Sequence, residues 1–207
     1  MRALAVLRPE PGNAVTAAAV EARGLVAIRL PLFAVRPLAW TSPDPAGFDA
    51  LLVTSANALR HGGPGLAALR HLPVLAVGEA TAEAARAAGF TVERTGVADA
   101  AALVADEPRR LLHLAGRDRV AVPGVEAVAV YAADLLPVDA GALAGSVALL
   151  HSARAARRLR AIAPRNVVIG ALSPAVAAAA GEGWTSVHAA RVPTDAALLD
   201  LAETLAD

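Results

Sequence analysis

The sequence predicts an α/β protein built from two similar, doubly wound parallel sheets. Short apolar runs alternate with alanine-rich segments along the chain, turn residues separate them, and one strand–turn–helix unit appears twice. Parallel strands are joined by crossovers that are usually helices, so this alternation is typical of parallel sheets covered by helices on both faces. The 207 residues suffice for one large α/β domain or two small ones.

The two kinds of segment can be assigned to elements in chain order. The apolar runs predict strands at 3–7, 25–30, 50–53, 74–77, 91–93, 111–114, 125–131, 147–150, 167–169 and 186–188. The alanine-rich segments, which have high helix propensity, predict helices at 14–23, 58–69, 80–88, 100–105, 153–163, 175–181 and 195–206.

Small polar residues mark several predicted helix starts, because their side chains accept hydrogen bonds from the N–H groups of the first turn. N-caps are predicted at Asn13, Ser152, Ser173 and Thr194. Pro174 follows Ser173 at the first helical position, where proline is favoured. Gly24 and Gly89 lie where glycine commonly ends a helix.

The internal repetition consists of two pairs of similar segments. Residues 51–58 parallel residues 148–155, and residues 77–81 parallel residues 169–173. Each segment reads as the end of a strand, a small polar turn and a helix start. Because the unit appears only twice, it predicts two homologous halves and not a solenoid.

Two extended stretches, 33–37 and 128–133, are interpreted as connectors between the halves. If they pair, the first strand and helix join the C-terminal half. We therefore predict a discontinuous domain at 1–33 with 136–207 and a continuous domain at 38–128. The linker strands at 34–37 and 129–135 are predicted to pair.

The composition excludes several chemistries. The chain has no cysteine, and all 19 basic residues are arginine, which excludes thiolate nucleophiles, Schiff-base lysines and a P-loop lysine. No Gly-x-Gly-x-x-Gly motif is present, and ligand spacing is absent from the histidines, which are His61, His71, His113, His151 and His188. We predict neither a metal nor a nucleotide cofactor. The formal net charge of zero argues against a general nucleic-acid binder.

A membrane is not needed to explain the 56% hydrophobic content. A membrane-spanning helix requires about 18 residues without charged, polar or proline residues. The sequence contains no such stretch. Arg8 interrupts the apolar start too early for a signal peptide. We expect a cytoplasmic protein that binds no membrane.

A series of motifs runs along the chain: Thr54, Ser55 and Asn57, residues 77–82, residues 112–119, the lone Tyr131, Gly170 with Ser173, and residues 193–194. Their order and spacing resemble those of the uroporphyrinogen-III synthase family. The resemblance covers essentially the whole chain. The sequence departs from the family in two places: the helix that usually follows 116–119 looks deleted, and Ser173 holds a hydroxyl where the family often has threonine.

The resemblance implies two α/β domains joined by a two-stranded ladder, with the active site in the cleft between them. It also implies a monomeric lyase without metal or cofactor. Its substrate is hydroxymethylbilane, a linear tetrapyrrole with eight carboxylates. The family eliminates the terminal hydroxyl, forms a spiro intermediate at the fourth pyrrole ring and closes the ring with that pyrrole inverted, giving uroporphyrinogen III.

This chemistry needs anchors for carboxylates and an acid for the departing hydroxyl. Helix starts offer free N–H groups, and arginine grips carboxylates with a bidentate fork. The candidate substrate-binding residues are Arg8, Thr54, Ser55, Asn57, Gly78, Thr81, Arg117, Ser152 and Ser173. Tyr131 is the candidate catalytic residue, since a phenol of pKa ~10 can donate a proton.

Each candidate has a purely structural alternative. The serines and threonines fit helix caps, the arginines fit solvated surface positions, and Tyr131 fits a strand. At the level of the whole protein, the alternative is a non-catalytic, bilobal ligand-binding or regulatory module of the same fold. A protein of that kind is expected to carry an attached DNA-binding region or a secretion signal, and the sequence predicts neither.

Overall fold

Eleven strands form two sheets in the computed structural model, which describes residues 1–96 and 100–207. The strands are β1 (Leu4–Val6), β2 (Ala27–Arg29), β3 (Phe33–Pro37), β4 (Ala50–Val53), β5 (Val74–Val77), β6 (Val92–Gly96), β7 (Leu111–Gly116), β8 (Glu126–Leu135), β9 (Val147–Leu150), β10 (Val168–Ala171) and β11 (Ser186–Ala189). The helices are α1 (Gly12–Glu21), α2 (Ala56–His61), α3 (Glu79–Ala87), α4 (Ala100–Val104), α5 (Ala153–Ile162), α6 (Pro174–Ala180) and α7 (Asp195–Ala206). Short 3₁₀ helices lie at Pro45–Gly47, Gly63–Leu69 and Ala140–Leu143.

The chain divides into two compact units. The first unit is Met1–Ala34 with Leu135–Asp207, and the second unit is Val35–Asp134. The sheet of the first unit has the order β11-β10-β9-β1-β2, and the other sheet has the order β3-β8-β7-β4-β5-β6. The pairs among β1, β2, β9, β10 and β11 are parallel, and so are those among β4, β5, β6, β7 and β8. The predicted fold class, α/β with parallel sheets, is confirmed.

The two sheets have the same topology apart from the added edge strand β3. The run β6-β5-β4-β7-β8 corresponds strand for strand to β11-β10-β9-β1-β2. Ser55 and Ser152 are the N-caps of the equivalent helices α2 and α5, as the first pair of repeated segments predicts.

The predicted equivalence of residues 77–81 with residues 169–173 is wrong by three positions. Leu51 pairs with Val74, and the equivalent Ala148 pairs with Ile169, so Val74 corresponds to Ile169 and Gly78 corresponds to Ser173. Gly78 and Ser173 are the N-caps of α3 and α6, whereas Gly170 lies inside β10. Gly78 and Gly170 look equivalent in the sequence, but they have different structural roles in the two halves.

Two predicted helices differ from the structure. The helix predicted at 58–69 stops at His61, because Gly63 adopts φ +64° and Pro64 follows it, and continues only as a 3₁₀ helix. The predicted N-cap Asn13 lies inside α1, whose N-cap is Pro11. Asn13 is fully buried, and its amide donates to the carbonyl oxygens of Val6 (2.7 Å) and Arg8 (3.1 Å) at the end of β1. The other predicted caps, Ser152, Ser173 and Thr194, are confirmed.

The segment 117–125 joins β7 to β8 without a helix, as the apparent deletion in the sequence predicts. Val122 and Val125 pack from this segment onto the sheet face that carries Leu52 and Leu75, which α4 also covers. The opposite face of the same sheet packs against α2 and α3. Two valines of a short loop therefore take over part of the covering that a crossover helix usually provides.

The connectors between the units also pair. The N–H of Leu38 donates to the carbonyl of Val130 (3.0 Å), and the N–H of Leu136 donates to that of Leu32 (3.1 Å). From Leu32 to Leu38 the residue number rises along one strand, while that of the partner falls from Leu136 to Val130 along the other. The two strands are therefore antiparallel. Among the described residues, no helix has the length and apolar character needed to cross a bilayer.

Candidate functional site

In the second unit, the sequence-predicted residues gather at the carboxyl edge of the sheet. Strands β7, β4 and β5 are neighbours, and their ends are followed by Arg117, by Thr54 with Ser55, and by Gly78 respectively. Ligands of open α/β sheets bind at this edge. Asn57 and Thr81 follow in the first turns of α2 and α3.

Tyr131 lies beside this edge because β8 contains a bulge. Ala115 pairs with Ala129 but Gly116 pairs with Tyr131, so Val130 is the additional residue. A bulge of this kind redirects the following side chain. The phenol lies over Gly116, where an added Cβ would meet ring atom Cζ at 2.8 Å and the hydroxyl oxygen at 3.0 Å. No hydrogen bond to the Tyr131 hydroxyl is found in residues 1–96 and 100–207.

Thr54 is held by His113, which belongs to the 112–119 motif but was not predicted as a site residue. His113 on β7 is 2% exposed, and its Nε2 lies 2.9 Å from the Thr54 hydroxyl oxygen. Burial, with a smaller contribution from the positive charge of Arg119, lowers the pKa of His113 to about 4. The ring is therefore neutral near pH 7 and fixes the Thr54 hydroxyl through an uncharged hydrogen bond. The indicative signal was a histidine inside an otherwise apolar strand.

The low pKa of His113 predicts loss of stability in mild acid. A histidine in the unfolded chain binds a proton near pH 6.5, whereas the folded protein resists it down to about pH 4. Protonation then favours unfolding, so this contribution is complete above pH 6.5 and is lost as pH falls from 6.5 toward 4, at about 1.4 kcal/mol per pH unit. Urea unfolding at pH 7, 6 and 5 should show a smaller pH slope for His113→Gln than for the wild type. His188→Gln, at an exposed position, is the control; equal slopes in all three proteins would contradict the expectation.

Arg117 is partly engaged by another side chain. Its guanidinium contacts Asp134 at 2.7 Å, and Asp134 also contacts Arg36 on β3 at 2.5 Å. Hydrogen bonds from Arg36 and then from Arg117 lower the pKa of Asp134. Two cations thus share one carboxylate at an exposed position. Arg117 also lies 3.8 Å from Asp118, so the two cations face two carboxylates, and a further anion would have to replace one of them.

The helix starts divide into two kinds. At Ser55, Ser152 and Ser173 the side chain accepts a hydrogen bond from an N–H of the first turn, which is the capping role. Gly78 has φ +82° and no side chain, so α3 has no side-chain cap. At the carboxyl edge of the second unit's sheet, no capping side chain therefore competes with an anionic ligand for the N–H groups at the start of α3, whereas Ser55 caps α2.

Two predicted anchors use their own N–H groups within the protein. The Asn57 N–H donates to the Ser55 hydroxyl (3.2 Å), and the Thr81 N–H donates to the Gly78 carbonyl (3.1 Å). Thr81 is also buried, at 5% exposure. If these residues act in binding, they act through side-chain position and not through free backbone donors.

In the first unit, Arg8, Ser152 and Ser173 lie at the carboxyl edge of its own sheet, after β1, β9 and β10. Arg8 contacts Asp195, the first residue of α7, at 2.6 Å and the Thr16 hydroxyl at 3.4 Å. Its guanidinium lies over Gly12, where an added Cβ would meet Nε at 2.5 Å. The predicted residues therefore form two groups, one in each unit, and their roles stay predictions.

Metal binding has no geometric support in the described part of the chain. There, no three side chains of the ligating types are grouped so as to hold a metal ion.

Comparisons with known proteins identify relatives over nearly the whole chain. A family model described as uroporphyrinogen-III synthase HemD matches residues 14–200. The crystal structure of uroporphyrinogen-III synthetase from Helicobacter pylori 26695 is 20% identical, with 99% of this chain and 100% of that chain covered and a TM-score of 0.68. A mutant uroporphyrinogen III synthase from the extremely thermophilic bacterium Thermus thermophilus is 14% identical, with 98% of each chain covered and a TM-score of 0.61. A search of curated proteins finds no match.

Proposed function

The chain belongs to the uroporphyrinogen-III synthase family, and on that basis we propose that it cyclises hydroxymethylbilane to uroporphyrinogen III. The candidate residues at the carboxyl edges of its two sheets bind the substrate and supply the proton. The family match over residues 14–200 carries the proposal. Members of this family are cyclising hydro-lyases of heme biosynthesis. The fold shared with the two solved synthases supports the assignment.

The first chemical step is loss of the terminal hydroxyl as water, which needs a proton. Tyr131 supplies it from a phenol that no described protein group binds and that Gly116 allows to lie at the sheet edge. The pyrrole nitrogen pushes electrons toward the departing oxygen, leaving an azafulvene. The protein then has to hold the two chain ends so that the spiro intermediate forms at the fourth pyrrole ring and the ring closes.

Binding relies on two kinds of donor. The substrate's eight carboxylates outnumber the arginines at either edge, so backbone N–H groups carry part of the load, first of all those at the uncapped start of α3. Arg8 and Arg117 supplement them, each by exchanging an internal carboxylate, Asp195 or Asp134, for one from the substrate. Loss of either arginine should weaken binding by about 1–3 kcal/mol.

The proposal includes several expectations from the sequence. The protein works as a cytoplasmic monomer, without metal or cofactor, on a small molecule and not on nucleic acid or a membrane. The two domains are the predicted 1–33 with 136–207, and 38–128. Sedimentation of the purified protein tests the monomer, and activity after treatment with a chelator tests independence from metal.

The expected result for the activity itself is formation of the type III isomer. Chelator-treated protein is given hydroxymethylbilane, and the uroporphyrinogen isomers are separated after oxidation. Type III should predominate, because inversion of the fourth ring needs an enzyme. Type I alone, the product of the uncatalysed reaction, would remove the proposed function.

Tyr131→Phe is expected to lower kcat by about tenfold and to leave KM and the unfolding midpoint nearly unchanged. The change removes only the hydroxyl, and no hydrogen bond to it from the described residues is lost. Steady-state kinetics and urea unfolding measure the two effects. Unchanged kcat would exclude Tyr131 as the acid, whereas a large loss of stability would assign the hydroxyl a structural role.

A further inference from the structure

Arg8, His151 and Asp195 form a cluster at the carboxyl edge of the first unit's sheet. One oxygen of Asp195 contacts the Arg8 guanidinium at 2.6 Å, and the other lies 3.6 Å from His151 Nε2, beyond hydrogen-bond distance. The His151 side chain is 8% exposed. Both ring nitrogens are buried without a hydrogen-bond partner among the described residues. Buried polar atoms are almost always bonded, so an imidazole with two unbonded nitrogens requires an explanation.

The charges around His151 come from few elements. The strand β9 packs against β1, β10, α5 and α7. Arg8 follows β1 and Asp195 begins α7, whereas β10 and α6 contain no charged residue. The first arginine of α5, Arg154, lies over the Phe33 ring at 4.6 Å. The other arginines of α5 are Arg157, Arg158 and Arg160. The protonation of His151 is governed by burial, by Arg8, by Asp195 and by the Leu149 backbone, and not by the arginines of α5.

These influences oppose one another in the free protein. Burial, then the positive charge of Arg8, lowers the pKa of His151 to about 4, while Asp195 and, to a smaller extent, the Leu149 backbone raise it. Asp195 is already neutralised by Arg8 at 2.6 Å, so it gives a proton on His151 little support. The imidazole is therefore neutral, and it lies beside a carboxylate that it does not bind.

We propose that His151 is a positioning residue for Arg8: it takes up a proton from solvent and neutralises Asp195 when a substrate carboxylate draws Arg8 out of its internal ion pair. The inference rests on the proposed role of Arg8 in carboxylate binding. Without this proton, the freed Asp195 would repel the incoming carboxylate. With it, the imidazolium needs to move only from 3.6 Å to hydrogen-bond distance to replace the lost guanidinium. Substrate binding at this edge is therefore linked to uptake of one proton.

The ligand-free test uses Arg8→Gln, which frees Asp195 as the substrate would. Proton NMR follows the His151 ring across pH 3–8, with the resonance assigned by its absence in His151→Gln. We expect the midpoint in Arg8→Gln to rise by about two pH units above the wild type, because the opposing cation is lost and Asp195 becomes available. Asp195→Asn should lower it. A midpoint in Arg8→Gln equal to that of the wild type would overturn the proposal.

The ligand test uses uroporphyrin III, the oxidised macrocycle that keeps all eight carboxylates. Calorimetric titration near pH 6 in two buffers of different ionisation enthalpy gives the number of protons taken up on binding. The wild type and the control His188→Gln should take up close to one proton more than His151→Gln. Equal uptake by the wild type and His151→Gln would overturn the proposal.

The isomer assay separates this inference from the proposed function. If type III uroporphyrinogen forms while proton uptake is the same in His151→Gln, the function stands and the linkage is wrong. If only type I forms while the wild type takes up the additional proton on binding uroporphyrin III and His151→Gln does not, the linkage stands and the function is wrong.

Discussion

Gly116→Ala is expected to lower kcat by about 100-fold, about tenfold from loss of the general acid and the rest from disturbance of the bulge that carries it. The new Cβ would meet Tyr131 Cζ at 2.8 Å, closer than real Cβ contacts allow, and the aromatic ring cannot bend to relieve it. The phenol must leave the sheet edge, which removes the proton donor and also disturbs the bulge that carries it. The loss should therefore exceed that of Tyr131→Phe. Steady-state kinetics with hydroxymethylbilane measure it.

Gly170→Ala is the matched control, since Gly170 also lies inside a parallel strand but an added Cβ there meets its nearest neighbour at 3.5 Å, an ordinary contact. Its kcat should stay close to that of the wild type. In the double variant Gly116→Ala/Tyr131→Phe, the losses should be clearly less than additive, because both changes remove the same hydroxyl. Fully additive losses would show that Gly116 acts on something other than Tyr131.

Glu79→Pro is expected to raise KM for hydroxymethylbilane by about 10- to 100-fold relative to Glu79→Ala, the equivalent of one hydrogen bond to a charged group. Glu79 is the first residue of α3, whose N–H groups have no side-chain cap. Proline removes one of these donors without breaking an intrahelical bond. The Glu79→Ala control loses the same carboxylate and its contact with Arg86 but keeps the N–H.

The chain itself indicates that this proline is tolerated. Gly78 has ψ 147°, which lies in the range that a residue before proline adopts. The equivalent helix α6 begins with Pro174 after Ser173, which has ψ 164°. Circular dichroism and unfolding should therefore match the alanine variant. Equal KM values for the two folded variants would mean that the start of α3 does not bind the substrate.

The sequence was sufficient to predict the fold class because it depends on patterns of many residues. Alternating apolar runs and alanine-rich segments located β4, β5 and β9 with their observed bounds and α7 likewise. The errors came where one residue decided the outcome. Asn13 looks like a cap, but its amide satisfies two carbonyls at the end of β1, and a sequence does not reveal which buried acceptors a side chain will meet.

The candidate residues were predictable as turn residues, but their working relationships were not. Spacing located Thr54 and Tyr131, whereas the contact of Thr54 with His113 joins two strands that are distant in sequence. The support of Tyr131 by Gly116 depends on a bulge, which the apolar pattern of β8 does not indicate. Likewise, the sequence does not separate the helix start at Gly78 from the other predicted helix starts, whereas the structure shows that it has no side-chain cap.

The position of β1 in its sheet has a consequence for synthesis on the ribosome. This strand lies between β9 and β2, and Leu4 pairs with Val147, so the middle of the first sheet needs residues from both ends of the chain. At about 5–20 residues per second, the nascent β1 waits roughly 7–30 s for that partner. The second unit, whose residues all emerge in the meantime, has its complete sheet available first. The order of emergence therefore favours folding of the inserted unit before the unit that encloses it in sequence.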